Sequence, residues 1–162
     1  MDDPQRPHGG FADLVGYRLG TWREDYAEVL LEVAPEHLNR SGVLHGGVLT
    51  TILDAACGYA GTHCSVPGNV RRGFTLSLNS HFIGTAGIGQ LLICAARKTG
   101  GGRTIFFSSA EVRDDDGRLV AQGEGVFRYR RGSEIPEGTA PQAETEVALA
   151  EEARAQREAE RS

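Results

Sequence analysis

The chain has 162 residues, a formal net charge of −5, and 40% hydrophobic against 24% charged side chains, enough for one domain with a real core and no metal or disulfide staple. The acidic balance argues against a general nucleic-acid binder, which needs clustered Lys and Arg. The three cysteines, Cys57, Cys64 and Cys94, lack C-x-x-C spacing, so they suggest neither a disulfide framework nor a zinc site and fit a reducing cytoplasm. With no basic-then-apolar leader and no apolar run of about eighteen residues, nothing points to export or to a membrane span.

In chain order, residues 1–10 are polar and rich in Pro and Gly, a flexible lead-in. Leu14 to Arg23 and Tyr26 to Ala34 alternate apolar and polar residues around Glu24-Asp25 and predict an antiparallel hairpin, ended by Pro35. From Gly47 to about Ala60, apolar residues recur at helical spacing and the remaining faces carry Val48, Thr50, Thr51, Ala55 and Cys57, so a buried helix is expected. Four strands follow: Phe74 to Ile83, Gln90 to Lys98, Thr104 to Arg113 and, after the turn "DDDG", Leu119 to Tyr129. The connection "KTGGGR" reads as a turn whose glycines also permit close approach of a ligand. Residues 133–162 turn to Glu, Ala, Gln and Arg, with Val147 and Leu149 the sizeable apolar side chains of the last twenty, and read as a helical or disordered tail that adds little stability.

One helix cannot cover both faces of six strands, so the expected fold class is α+β: a curved antiparallel sheet wrapped around one long helix. Its outer strands would pair most simply with a second copy of the chain.

Asp54 is the chemical anomaly of the pattern. From His45 to Thr62 it is the single Asp, Glu, Lys or Arg, and a carboxylate inside an apolar run must be paired or used. At the start of the same helix stand Gly46 and Gly47, where first-turn N–H groups lack intrahelical acceptors and can stabilise an oxygen that gains negative charge. Eight residues of helix separate Gly46 from Asp54 by about 12 Å, too far for one substrate atom to meet both in one chain. Two antiparallel copies of the helix would bring them together. Taken singly, each residue also has a plain reading: Asp54 as a hydrogen-bonded structural Asp, His45 as a cap, Gly46-Gly47 as a turn, Asn39 and Ser41 as loop residues.

The stretch "NRSGVLHGGVLTTILDAACGYA" resembles the signature of the hotdog-fold acyl-CoA thioesterases, in the phenylacetate-degradation (PaaI-like) branch of the 4-hydroxybenzoyl-CoA thioesterase superfamily: an Asn, His-Gly-Gly, then an acidic residue seven beyond the second Gly. The likeness runs from about Phe11 to Arg130 and includes "GFTLSLNSHFIGTA" and "GRLVAQGEGVFRY". It implies a hotdog domain over residues 11–132, with Asp54 as general base or nucleophile on a thioester carbonyl, Gly46 N–H polarising that carbonyl, and His45 and Asn39 positioning carbonyl, water or thiolate. Thr75 matches a position whose hydroxyl, in some relatives, orients water near the carboxylate of the partner chain.

An acyl-CoA substrate needs cations for its phosphates. Candidates are Arg71 and Arg72 before a strand and Lys98 and Arg103 around the glycine turn, with Gly47 beside the carbonyl; surface solubility is the plain reading of each cation. His63 and His81 have no spacing that gathers metal ligands, and Cys57, one turn from Leu53, reads as a small buried apolar residue. The implied activity is hydrolysis of a small or aromatic acyl-CoA, without metal or redox cofactor, by a homodimer or dimer of dimers in the cytoplasm. Two rivals share the fold: a non-catalytic acyl-CoA-binding regulator and an enoyl-CoA hydratase.

Overall fold

The computed structural model describes residues 10–141. A short helix α1 (Phe11–Val15) leads into strands β1 (Arg18–Arg23) and β2 (Tyr26–Glu32), then helix α2 (Gly46–Thr62), then β3 (Gly73–Phe82), β4 (Leu91–Gly101), β5 (Ile105–Arg113) and β6 (Leu119–Tyr129). All neighbours in the sheet are antiparallel, in the order β1-β2-β4-β5-β6-β3.

Period-two patterning builds the sheet. Leu92, Cys94 and Ala96 of β4 and Phe106, Ser108, Ala110 and Val112 of β5 are buried on one face, while Arg97, Ser109, Glu111 and Arg113 lie on the other. Against the buried face packs α2 through Leu49, Ile52, Leu53, Ala56, Cys57 and Ala60, and the helix touches every strand. Two hydrogen bonds fix its C-terminal half to the sheet: Trp22 Nε1 donates to Tyr59 O at 2.8 Å and the Tyr129 hydroxyl to Gly61 O at 2.9 Å.

Four expectations change. The strand expected from Leu14 begins at Arg18, because Gly16 ends α1 in the left-handed region at φ 82°. The "KTGGGR" segment is mostly strand: β4 continues to Gly101 with a bulge between Lys98 and Gly100. At Gly101, φ is 135° and a Cβ would lie 2.5 Å from Ile105 O, so only glycine keeps this pairing. The helix is buried on one face only, since a single sheet covers a single side, and Thr50, Thr51, Asp54, Ala55 and Tyr59 remain half-exposed in the chain.

The fourth change concerns residues 133–141, read from composition as the start of the tail. Ser133 is 3% exposed, and Val70 pairs with Thr139, so this part is hydrogen-bonded onto the loop that follows α2. Residues 142–162, and residues 1–9 of the lead-in, lie outside the described residues.

Among the described residues the sheet ends on β3, whose outer edge pairs with no strand and whose Phe74, Leu76 and Phe82 are about half-exposed. Among the described residues, no helix is long and apolar enough to cross a membrane.

Candidate active site

The loop before α2 is built to present the helix N-terminus. The Asn39 Oδ1 accepts from Ser41 N at 2.9 Å and Val43 N at 3.1 Å, and Asn39 N donates to Val43 O at 2.8 Å. That tight loop brings His45 back to His37, with His45 N donating to His37 O at 2.9 Å. The His37 ring is buried; Ala34 N donates to its Nδ1 at 2.9 Å, so the proton sits on Nε2, which donates to Val15 O at 2.8 Å.

His45 is the N-cap of α2, and its Nδ1 accepts from Gly47 N at 2.8 Å. Accepting at Nδ1 leaves Nε2 as the protonated nitrogen of the neutral imidazole, a donor that the cap does not use. Gly47 N–H is engaged in this cap, which leaves Gly46 N–H as the first-turn donor for a ligand. A Cβ at Gly46 would meet the Phe82 ring at 3.3 Å, so that ring would have to give slightly, and one at Gly47 would lie 2.9 Å from His45 Nδ1, so the capping ring would have to shift.

Asp54 lies on the outward face of α2, half-exposed, and the Thr75 hydroxyl of the same chain donates to its Oδ1 at 2.6 Å. Within one chain β3 runs beside α2, and the two side chains meet across that gap. One carboxylate oxygen is anchored by Thr75, and Asp54 lines two clefts, about 370 Å³ and 360 Å³, that share Asp54, Ala55 and Tyr59 as walls. A larger groove of about 800 Å³, containing His81, lies on the opposite face of the sheet and does not include Asp54.

The expected cations divide. Arg72 lines the second cleft with Asp54 and Thr75, and its backbone N–H donates to Ser133 Oγ at 2.9 Å. Arg71 borders the same cleft, but its guanidinium is spent on the protein: Nη1 donates to His63 O at 3.1 Å, Nε to Ser133 O at 3.3 Å, and the group lies 4.6 Å over the Tyr129 ring. Lys98 is paired with Asp25 at 3.4 Å and lines a separate cavity with Glu24 and His63. Arg103 is exposed on the β4–β5 turn and borders none of the clefts around Asp54. Burial pushes the Cys57 thiol up to about 12, with the Asp54 charge adding to the rise.

Three residues near Asp54 were not singled out from the sequence. Arg130 lines the second cleft, Tyr17 the first, and Tyr59 both. No motif marks them: Tyr17 stands in an apolar alternation and Tyr59 at a helical spacing that predicts core.

Comparison with known proteins accords with this geometry. The solved structure of a conserved protein, PA5202, from Pseudomonas aeruginosa is 34% identical, with a TM-score of 0.67 over 76% of this chain and 95% of its own. The PaaI protein of the Escherichia coli phenylacetic acid degradation operon shares the fold at 22% identity, with a TM-score of 0.66 over 80% of this chain and 86% of its own. Mouse acyl-coenzyme A thioesterase 13 is 30% identical over 94 residues, 57% of this chain and 65% of that protein. The family model described as the thioesterase superfamily matches residues 41–121, from the loop before the His-Gly-Gly turn into the last strand, and the chain belongs to that superfamily, with its hotdog fold.

Proposed function

We propose that the protein is an acyl-CoA thioesterase that hydrolyses a small or aromatic acyl-CoA to the free acid and CoA, with Asp54 as the catalytic carboxylate. The observation that carries this reading is the Thr75–Asp54 hydrogen bond of 2.6 Å on the outward face of α2, between two clefts. A carboxylate with one oxygen anchored, on a residue that lines both clefts, suits either activation of water or direct attack. As base, Asp54 takes a proton from water while the water oxygen adds to the carbonyl carbon; the C–S bond then breaks and the thiolate receives the proton. As nucleophile, it displaces the thiolate first, and water hydrolyses the resulting anhydride.

Gly46 N–H polarises the carbonyl, held by a helix start that His45 and Gly47 cap. The His45 Nε2–H and the Asn39 side-chain amide serve as donors to the carbonyl or the thiolate. Because Gly46 and Asp54 stand about 12 Å apart along one helix, the working site takes Gly46 from one copy and Asp54 from another. The unpaired β3 edge, with Phe74, Leu76 and Phe82 about half-exposed, suits the seam of such a homodimer; dimers then associate in pairs. Arg72 is the CoA-phosphate contact best placed relative to Asp54, with Lys98 and Arg103 reaching it only from a neighbouring copy. Three cysteines without a disulfide suit a cytoplasmic setting.

The test is thiol release from a panel of acyl-CoAs by the purified chain and by Asp54→Asn. Hydrolysis lost in Asp54→Asn supports the reading. Tight CoA-ester binding without thiol release would favour a regulator, and hydration of an enoyl-CoA with the thioester intact would favour a hydratase. Mixed dimers of Asp54→Asn and Gly46→Pro subunits should regain activity; hybrids that form and stay inactive would exclude the shared site.

A further inference from the structure

The cations beside Asp54 come from two distant parts of the chain. Arg71 and Arg72 end the loop between α2 and β3, and Arg130 follows β6, yet all three line the cleft of about 360 Å³ that includes Asp54. The segment after β6 brings them together. Arg130 N donates to Arg72 O at 2.8 Å, which extends the β3–β6 ladder by one bond. Ser133 N then donates to Arg130 O at 2.9 Å and closes a tight turn in which Gly132 takes φ 88°.

That turn starts a strap, residues 133–139, and delivers the buried Ser133 to both arginines of the loop at once. Its Oγ accepts from Arg72 N at 2.9 Å, and its carbonyl accepts from Arg71 Nε at 3.3 Å. The main chain of Arg72 is therefore held from two sides, its N–H by Ser133 and its C=O by Arg130. The Arg71 guanidinium is held at the cleft, where its charge adds to the field that an anion meets. The hydroxyl has a use that packing alone does not require: a part-buried backbone N–H needs an acceptor, and a methyl at this position would supply none.

We propose that Ser133 is a positioning residue for CoA binding: from the strap after β6 it sets Arg71 and Arg72 at the cleft, so that the arginines meet the phosphates when the thioester lies at Asp54. The inference rests on the thioesterase reading above. Phosphate binding and chemistry are separable in this arrangement. Thr75, which anchors Asp54, is paired with Phe127 inside the β3–β6 ladder, whereas Arg72 lies just before the first strand pair of β3, Gly73 with Tyr129, and is held by the segment after β6. A loosened Ser133 contact should therefore weaken the hold on the phosphates and leave the carboxylate in place. A guanidinium meets a phosphate through directional N–H bonds, so a shift of its main chain costs much of the contact.

The experiment measures thiol release by the full chain from acetyl- and phenylacetyl-CoA and from the matching pantetheine esters, which carry the same thioesters without phosphates, with the melting temperature of each variant taken alongside. Ser133→Ala should raise KM for the CoA esters about fivefold or more, with kcat and the KM of the pantetheine esters within about twofold of wild type. Asn69→Ala removes a different strap bond, Asn69 Nδ2 to Glu137 O at 2.8 Å, away from the arginines; it should lower the melting temperature comparably and leave every KM within about twofold. In an Arg72→Gln background, which itself raises KM for the CoA esters, adding Ser133→Ala should raise it by less than about twofold more, because the hydroxyl acts through Arg72. An equal rise of KM for CoA and pantetheine esters, an unchanged KM in folded Ser133→Ala, or an equal effect of Asn69→Ala would overturn the proposal while leaving thioesterase activity intact. Absence of thiol release from every ester by the wild-type chain would remove the activity itself, and this inference with it.

Discussion

Ending the chain after Gly132 separates composition from structure. By composition, residues 133–162 should cost little to remove. The folded chain predicts otherwise, because residues 133–139 are bonded onto the loop after α2. Arg72 N donates to Ser133 Oγ at 2.9 Å, Arg71 Nε to Ser133 O at 3.3 Å, Ser65 N to Pro136 O at 2.9 Å and Asn69 Nδ2 to Glu137 O at 2.8 Å. Val70 and Thr139 exchange a backbone pair of 2.8 and 3.0 Å. At about 0.5 kcal/mol each, the weak end of the net range for a hydrogen bond near solvent, these sum to about 3 kcal/mol. For a domain of this size that is a melting temperature lower by about 10 °C. A second truncation, after Pro141, keeps every one of these bonds and should melt within about 2 °C of the full chain. Both are compared with the full chain by thermal denaturation at one protein concentration, since association shifts the midpoint. Equal melting temperatures for the two truncations would refute the reasoning and return the strap to the status of a tail.

Gly61→Ala should destabilise by about 3 kcal/mol or more, or prevent folding, because its Cβ would lie 2.0 Å from Phe106 Cε2, and that ring is wedged against Phe127 at 5.0 Å and Tyr129 at 4.7 Å; urea unfolding of the variant checks this. Thr75→Val should lower kcat by about tenfold through loss of the charge-assisted bond to Asp54, and Thr75→Ser should restore most of it, whereas equal rates in Val and Ser variants would mean the bond is only structural. Stability should fall as pH rises above the ordinary thiol range, about 8.5, toward 12: the Cys57 thiol is raised to about 12 and Cys94 well above its usual value by burial, so the folded state holds protons that the unfolded chain releases. In the same native state at pH 8, a thiol reagent should label Cys64 quickly and Cys57 and Cys94 only at the rate of unfolding.

The sequence alone determined what depends on local pattern. Alternation placed β2, β4, β5 and β6 within a few residues, and helical spacing placed α2, because the period of burial is written in which side chains are apolar. The spacing from His-Gly-Gly to Asp54 is likewise local, since both lie on one helix. What only the tertiary structure decided depends on which elements meet. Thr75 reaches Asp54 of its own chain because β3 returns beside α2, a contact across 21 positions that no spacing encodes. Arg71 and Arg72 are neighbours in sequence and both border the cleft beside Asp54, but only the packing shows the Arg71 guanidinium held by His63, Ser133 and Tyr129. Ser133 sits in a polar stretch that composition reads as tail, yet backbone hydrogen bonds, which composition cannot register, tie it to the body. Tyr17 and Tyr59 follow the same logic. Each fits its own strand or helix pattern as an apolar residue, and only the packing of α1, α2 and β3 around one cleft makes them a pair beside the carboxylate.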